Sequence, residues 1–192
     1  MEDRQQIMAW RREQREHLIN ARLALGVAQR QEASARIIVN VDAWCRARAL
    51  LSVGTVVSGY WPLRGEPDMR PWLSSLIEAG LTCALPVVVE KGAPLQFRAW
   101  RPGCAMEKGL WNIPVPADAT PVTPGLLLAP VVGFDAANYR LGYGGGYFDR
   151  TLEQMRARGL PHHVIGIGYA MNRLQTIQPL AHDIALDTVI TD

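Results

Sequence analysis

The chain has 192 residues and a net charge of +2. That is enough to bury a substantial core, and too little basic excess for a nucleic-acid binder. With 48% hydrophobic and 20% charged residues it does not read as disordered, and no run approaches the roughly 18 apolar residues of a membrane helix.

Residues 3–24 read as a helix with Ile7, Trp10, Gln14, Leu18 and Ala21 at helical spacing as a narrow buried stripe, stopped by Gly26. A second helix is expected from Gln31 to Ala49, with Ala33, Ile37, Val41 and Trp44 on one side. Val53–Tyr60 is apolar and β-branched and predicts a buried strand; a loop with Pro62, Gly65 and Pro67 follows, then a helix over 69–79. Strands are predicted at 81–89 and 95–100. The Pro- and Gly-rich stretch 102–125 reads as a long loop, of the kind that is usually functional. Leu126–Val132 is the most apolar strand. A glycine-rich turn leads into a helix over 146–158, and strands close the chain at 164–169 and 187–191. Strands alternate with helices, and several are apolar on both faces. The expected fold is therefore a single α/β domain over 1–192, with a mainly parallel or mixed central sheet and helices on both faces, three layers in all.

The three cysteines, Cys45, Cys83 and Cys104, are odd in number and widely spaced, which suggests free thiols in a reducing compartment. The first fifteen residues are charged and lack an apolar signal core, so a cytoplasmic protein is expected.

The segment richest in chemistry is 134–150, where four glycines fall within five residues, at 142 and 144–146. They follow an apolar strand and precede a helix. Glycine there lets the backbone approach a bound group, and the amides at a helix N-terminus favour an anion. The pattern is neither a Walker A loop nor a dinucleotide fingerprint, because the Gly-Lys-Ser/Thr ending is missing and position 147 is Tyr. A tight turn without a ligand is the plain structural alternative. Arg140 and Asp149 flank the loop, and they could pair with phosphate and hold a hard metal.

The run Asn138-Tyr139-Arg140-Leu141-Gly142-Tyr143-Gly144-Gly145-Gly146-Tyr147-Phe148-Asp149-Arg150 resembles the signature of the 5-formyltetrahydrofolate cyclo-ligase family. An apolar strand, Pro130 and Gly133-Phe134-Asp135 precede it, as in that family. The resemblance implies ATP on Arg140 and the loop Leu141, Gly142, Tyr143, Gly144, Gly145, Gly146, Tyr147 and Phe148, with Arg140 and Tyr147 catalytic. It implies magnesium at Asp149, and at Asp183 in the C-terminal stretch 179–191, which also resembles the family's ending.

The family's basic pair on the first helix, lysine then arginine four residues on, corresponds to Arg11 and Arg15; arginine replaces the lysine, and Arg12 competes for the role. The family's folate contacts in the loop after the first strand fall on Trp61 and Glu66, with Met69 where many members have threonine. Tyr143 and Tyr147 are stacking candidates for the pterin. Trp111, in a segment resembling the family's Ile-Pro-x-Pro with Val115 at x, could wall the same pocket. By itself each residue also has an ordinary role: a solvated helix face for the arginines, a surface loop for Glu66, core packing for Trp111.

The implied reaction is the ATP-dependent closure of 5-formyltetrahydrofolate to its methenyl form, with Mg²⁺, on a monomer whose partners are a reduced folate and ATP, and neither nucleic acid nor membrane. The alternatives are a paralogue that keeps the nucleotide loop but takes another substrate, and a non-catalytic folate- or nucleotide-binding module.

Overall fold

The computed structural model describes residues 2–192. In chain order its elements are α1 (Glu2–Ala24), α2 (Val27–Arg46), β1 (Val56–Ser58), α3 (Arg70–Glu78), β2 (Thr82–Val87), β3 (Gln96–Ala99), β4 (Met106–Lys108), β5 (Pro114–Pro116), β6 (Leu126–Pro130), β7 (Gly133–Phe134), β8 (Arg140–Leu141), α4 (Tyr147–Ala157), β9 (His163–Ile167) and β10 (Thr188–Ile190). Six strands form one sheet in the order β10-β9-β6-β1-β2-β3. Its neighbours run parallel except β3, which lies antiparallel to β2 at one edge.

Side chains alternate across a strand, so β6 faces both ways. Leu126 and Leu128 pack with Ile37, Val41 and Cys45 of α2 and Trp72, Leu73 and Leu76 of α3. Leu127 and Ala129 pack with Leu152 and Met155 of α4 on the opposite face. Cover on both sides is why this strand has no polar alternation. No helix among the described residues is long and apolar enough to cross a membrane.

Four expectations are corrected. The first strand is shorter than 53–60, because Ser52–Thr55 is a turn in which Thr55 donates to the Ser52 carbonyl and Val53 is 97% exposed. The second helix begins at Val27, four residues early, because the Gln29 side chain accepts from the Gly26 amide (2.8 Å) and satisfies the helix start. The stretch 102–125 is not all loop: β4 and β5 pair there as a small hairpin, with two prolines in its second strand. In α1 the residues fully buried are Arg11, Leu18 and Arg22, while Ile7, Trp10, Gln14 and Ala21 are only half-buried. At 100° per residue, Arg11, Arg15, Leu18 and Arg22 fall within about 60° of one another. The buried face is turned toward these arginines because α1 packs both on a small apolar cluster, Leu18 with Val132, Leu141 and Ile177, and on the polar loops beside it.

The loops after β1 and β6 leave the C-terminal ends of adjacent strands. That is where an open α/β sheet leaves a crevice.

Candidate active site

β7 and β8 form a two-residue hairpin that the sequence did not announce, and Asp135 shapes its turn. Its Oδ1 accepts from the amides of Ala137 (3.0 Å) and Tyr139 (3.1 Å), and its Oδ2 from that of Ile177 (3.0 Å). Asn138 takes φ 61°, a backbone that asparagine tolerates. The hairpin sets Arg140 in the interior, only 8% exposed. The chain then crosses Gly144 (φ 95°) to Gly146 (φ 64°), the residue before α4. No side chain caps this helix, so its first amides remain available to an anion.

Two arginine–carboxylate pairs stand at this helix start. Arg140 donates from Nη2 to Asp149 Oδ2 (3.0 Å), and its Nε is buried without a partner among the described residues. Burial lowers the Arg140 pKa, and Asp149 works against that. Arg11 donates to Asp183, and also to the carbonyls of Ile177 (3.0 Å) and Gln178 (2.9 Å). Burial would raise the Asp183 pKa, but bonds from Arg11 and the Leu180 amide outweigh it and hold the carboxyl below its ordinary value. Arg15 donates from Nε to the Gly142 carbonyl (2.6 Å); burial and then Arg11 lower its pKa. The two carboxylates are on adjoining segments, since the Ile184 amide reaches Asp149 Oδ1 (3.3 Å).

The other side of the crevice is the loop after β1. Glu66 is buried; its Oε2 accepts from the Leu63 amide (2.8 Å) and its Oε1 from the Tyr143 hydroxyl (2.7 Å). Burial raises the pKa of both Glu66 and Tyr143. Trp61 lies under the Arg70 guanidinium at 4.6 Å, and Arg70 is itself gripped by Asp68. Trp111, at the turn between β4 and β5, stands 61% exposed at φ 57° and meets the Tyr147 ring edge-on at 5.7 Å.

The residues that the family resemblance assigned to the site line one cavity of about 590 Å³: Arg11, Arg15, Trp61, Glu66, Trp111, Arg140, the loop 141–148, Asp149 and Asp183. Arg12 is exposed and does not line it. Arg11 is engaged chiefly with protein groups, whereas Arg15 uses one donor on the loop. Two residues escaped the sequence reading. Asp135 carried a signal in its place before Asn138, that of a turn-former. Arg22, buried behind the cavity, stands seven positions beyond Arg15 on the same helix face; that spacing could have found it.

The carboxylates fit a magnesium ion that arrives with a nucleotide. Mg²⁺ takes one or two carboxylates and draws its other ligands from phosphate and water. Among the described residues no group of three His, Cys, Asp or Glu side chains forms a cage for a resident ion. The geometry suits an anionic ligand on the glycine-rich side and a hydrogen-bond-donating planar ligand beside Glu66, with aromatic rings between them.

Residues 4–192 match the model of the 5-formyltetrahydrofolate cyclo-ligase family. The 5-formyltetrahydrofolate cyclo-ligase of Mycolicibacterium smegmatis is 34% identical over 147 residues, covering 72% of this chain and 74% of that protein. The one from Escherichia coli is 32% identical over 136 residues, covering 66% and 72%. Two solved structures carry the same fold. The 5,10-methenyltetrahydrofolate synthetase of Aquifex aeolicus gives a TM-score of 0.76 at 24% identity, over 94% of this chain and 88% of that one. The one from Mycoplasma pneumoniae gives 0.74 at 20%, over 95% and 98%.

Proposed function

This chain belongs to the 5-formyltetrahydrofolate cyclo-ligase family, and on that premise we propose that it uses ATP to close 5-formyltetrahydrofolate to 5,10-methenyltetrahydrofolate, releasing ADP and phosphate. The observation that supports this most is the meeting of two unlike half-sites in one cavity. One is a glycine-rich helix start with Arg15 and Arg140; the other is a buried carboxylate, Glu66, among aromatic rings.

The formyl group on nitrogen-5 is an amide, and a poor electrophile. Transfer of the terminal phosphoryl group of ATP to the formyl oxygen makes that oxygen a leaving group and frees ADP. Nitrogen-10 then attacks the formyl carbon, loses its proton, and expels phosphate as the methenyl bridge forms. The chain's own work is positioning and charge neutralisation. Arg140, Arg15 and the amides of 144–148 would hold the phosphates. Glu66 would accept from the pterin's ring N–H and amino groups, with Trp61, Tyr143, Tyr147 and Trp111 against its faces. Arg11 holds Asp183 in place; Asp149 and Asp183 would keep the metal, whose charge helps neutralise the transferring phosphoryl group. We place the reaction on a cytoplasmic monomer, a setting that suits three unpaired cysteines.

The test is the absorbance change of methenyl formation with purified protein. It should require both ATP and magnesium and release ADP in equal amount. ATP binding without turnover of this folate would give the site to another substrate; binding of both without reaction would make it a non-catalytic module.

A further inference from the structure

Arg22 has no direct access to the cavity, yet it is among the most completely buried side chains of the protein, at 1% exposure. A buried arginine with nothing to do is costly to keep. Its Nε donates to the carbonyl of Arg64 (2.8 Å), in the loop that carries Glu66. Its Nη2 donates to the hydroxyl of Tyr143 (2.7 Å), in the glycine-rich loop. Its Nη1 is buried with no partner among the described residues. One side chain on α1 thus grips the two loops that form opposite walls of the site.

The direction of these bonds carries the argument. Guanidinium can only donate, so the Tyr143 oxygen accepts from Arg22. The single hydroxyl proton of Tyr143 is then turned onto Glu66 Oε1, at 2.7 Å. Glu66 Oε2 is held by the Leu63 amide (2.8 Å). Each carboxylate oxygen has two acceptor positions, so one stays open on each oxygen. Two adjacent open acceptors fit a ligand that presents two N–H groups side by side. A flipped Tyr143, or a rotated Glu66, would fill or turn away one of them.

We infer that Arg22 is a positioning residue for substrate selection: through Tyr143 it fixes Glu66 as a two-point acceptor for a planar ligand with paired N–H donors. The inference rests on the folate reading for the identity of that ligand. Arg22 also matters through its charge. Burial raises the Glu66 pKa, while the Leu63 amide, the Tyr143 hydroxyl and Arg22 draw it back. The titratable and charged groups facing Glu66 are Arg22 from α1, Tyr143 from the glycine-rich loop, and Tyr60 and Tyr169 from the ends of β1 and β9; Arg64 of its own loop stands 5.9 Å from the Tyr143 ring.

The test uses Arg22→Met, Arg22→Lys and Tyr143→Phe in the full chain. Three quantities are measured: the ATP dissociation constant, the folate KM and kcat across pH, and the Glu66 carboxyl titration in the ligand-free protein, followed by carbon-13 NMR and assigned with Glu66→Gln. Arg22→Met is expected to raise the folate KM about tenfold, with kcat and ATP affinity within about twofold. The acid limb of kcat/KM and the Glu66 titration should both move to higher pH. Arg22→Lys restores the charge and should return the acid limb, with KM only partly recovered, because an ammonium lacks the fork. Tyr143→Phe should raise KM similarly, and the double variant should cost less than the sum of the two.

If KM and the acid limb stay put in a folded variant, or if ATP and folate weaken equally, the inference falls. Should Arg22→Met fail to fold, Arg22→Lys decides: it keeps the charge but loses the fork, and an unchanged folate KM would overturn the inference. If the wild type neither binds nor converts the folate, the proposed function fails. The Glu66 titration alone then judges Arg22: a shift supports the positioning role, and no shift overturns it.

Discussion

Arg140 and Asp149 hold each other across the first turn of α4, Nη2 to Oδ2 at 3.0 Å, with side-chain exposures of 6% and 14%. The pair is set by the glycine turn between them: two backbone positions at positive φ bring residues nine apart face to face. A buried ion pair is a poor source of stability, because desolvation offsets its attraction. It stands at an uncapped helix start in a cavity, where under the proposed function it would meet the charge that arrives with a ligand.

Replacing Arg140 with Ala should therefore act on binding and on folding together. ATP affinity should fall by about 2–4 kcal/mol, the loss of a sheltered charge-assisted contact. Stability should fall as well, by about 3 kcal/mol, because Asp149 is left without its partner. Calorimetric titration with ATP and urea unfolding separate the two, and removing Asp149 as well should recover part of the stability. An Arg140→Ala protein that is folded and binds ATP normally would remove Arg140 from the nucleotide site.

Asp149→Asn should keep the fold, since the amide oxygen can still accept from Arg140. Turnover should drop by at least about tenfold at limiting magnesium and recover in part as the metal is raised, because a neutral amide is a poor ligand for Mg²⁺. Rates measured over a magnesium series check this; an unchanged half-saturation point would take Asp149 out of the metal site.

Glu66→Gln tests the folate half. Its lost or reversed hydrogen bonds cost roughly 1–3 kcal/mol, so the folate kcat/KM should fall about tenfold to a few hundredfold while ATP binding barely moves. Titration with each ligand separately reads the difference. Equal weakening of both would make the loop after β1 a structural support only.

The Arg11–Asp183 pair predicts the response to acid. Asp183 has a folded pKa below its ordinary value of 3.8. Such a group contributes stability fully above its unfolded pKa and loses it as pH falls from there through the folded pKa. Urea midpoints should decline below about pH 4. In Asp183→Asn the midpoint should be lower at neutral pH and its acid decline shallower. An acid slope identical to the wild type would show that Asp183 does not carry this linkage.

The glycine-rich helix start was legible in the sequence because its chemistry lies in contiguous residues: 138–150 contain the turn, the arginine, the amides and the carboxylate together. The sheet and its two covering layers were legible for the same reason, since the short apolar run at 126–129 between turn-formers fits a strand buried on both faces, as Leu126 to Ala129 are. Helix and strand ends were less so, because they depend on single local bonds such as the one from Gly26 to Gln29. What only the tertiary structure decided is which distant groups complete one another. Arg11 reaches Asp183 across 172 positions, Arg22 reaches Tyr143 across 121, and Tyr143 reaches Glu66 across 77. Helical spacing can place Arg11, Arg15 and Arg22 on one face, but it does not say what that face meets. The pairing of β1 with β6 decides that, by setting the loops that follow these adjacent strands side by side under α1, where the buried Arg11 and Arg22 and the half-buried Arg15 frame the candidate site.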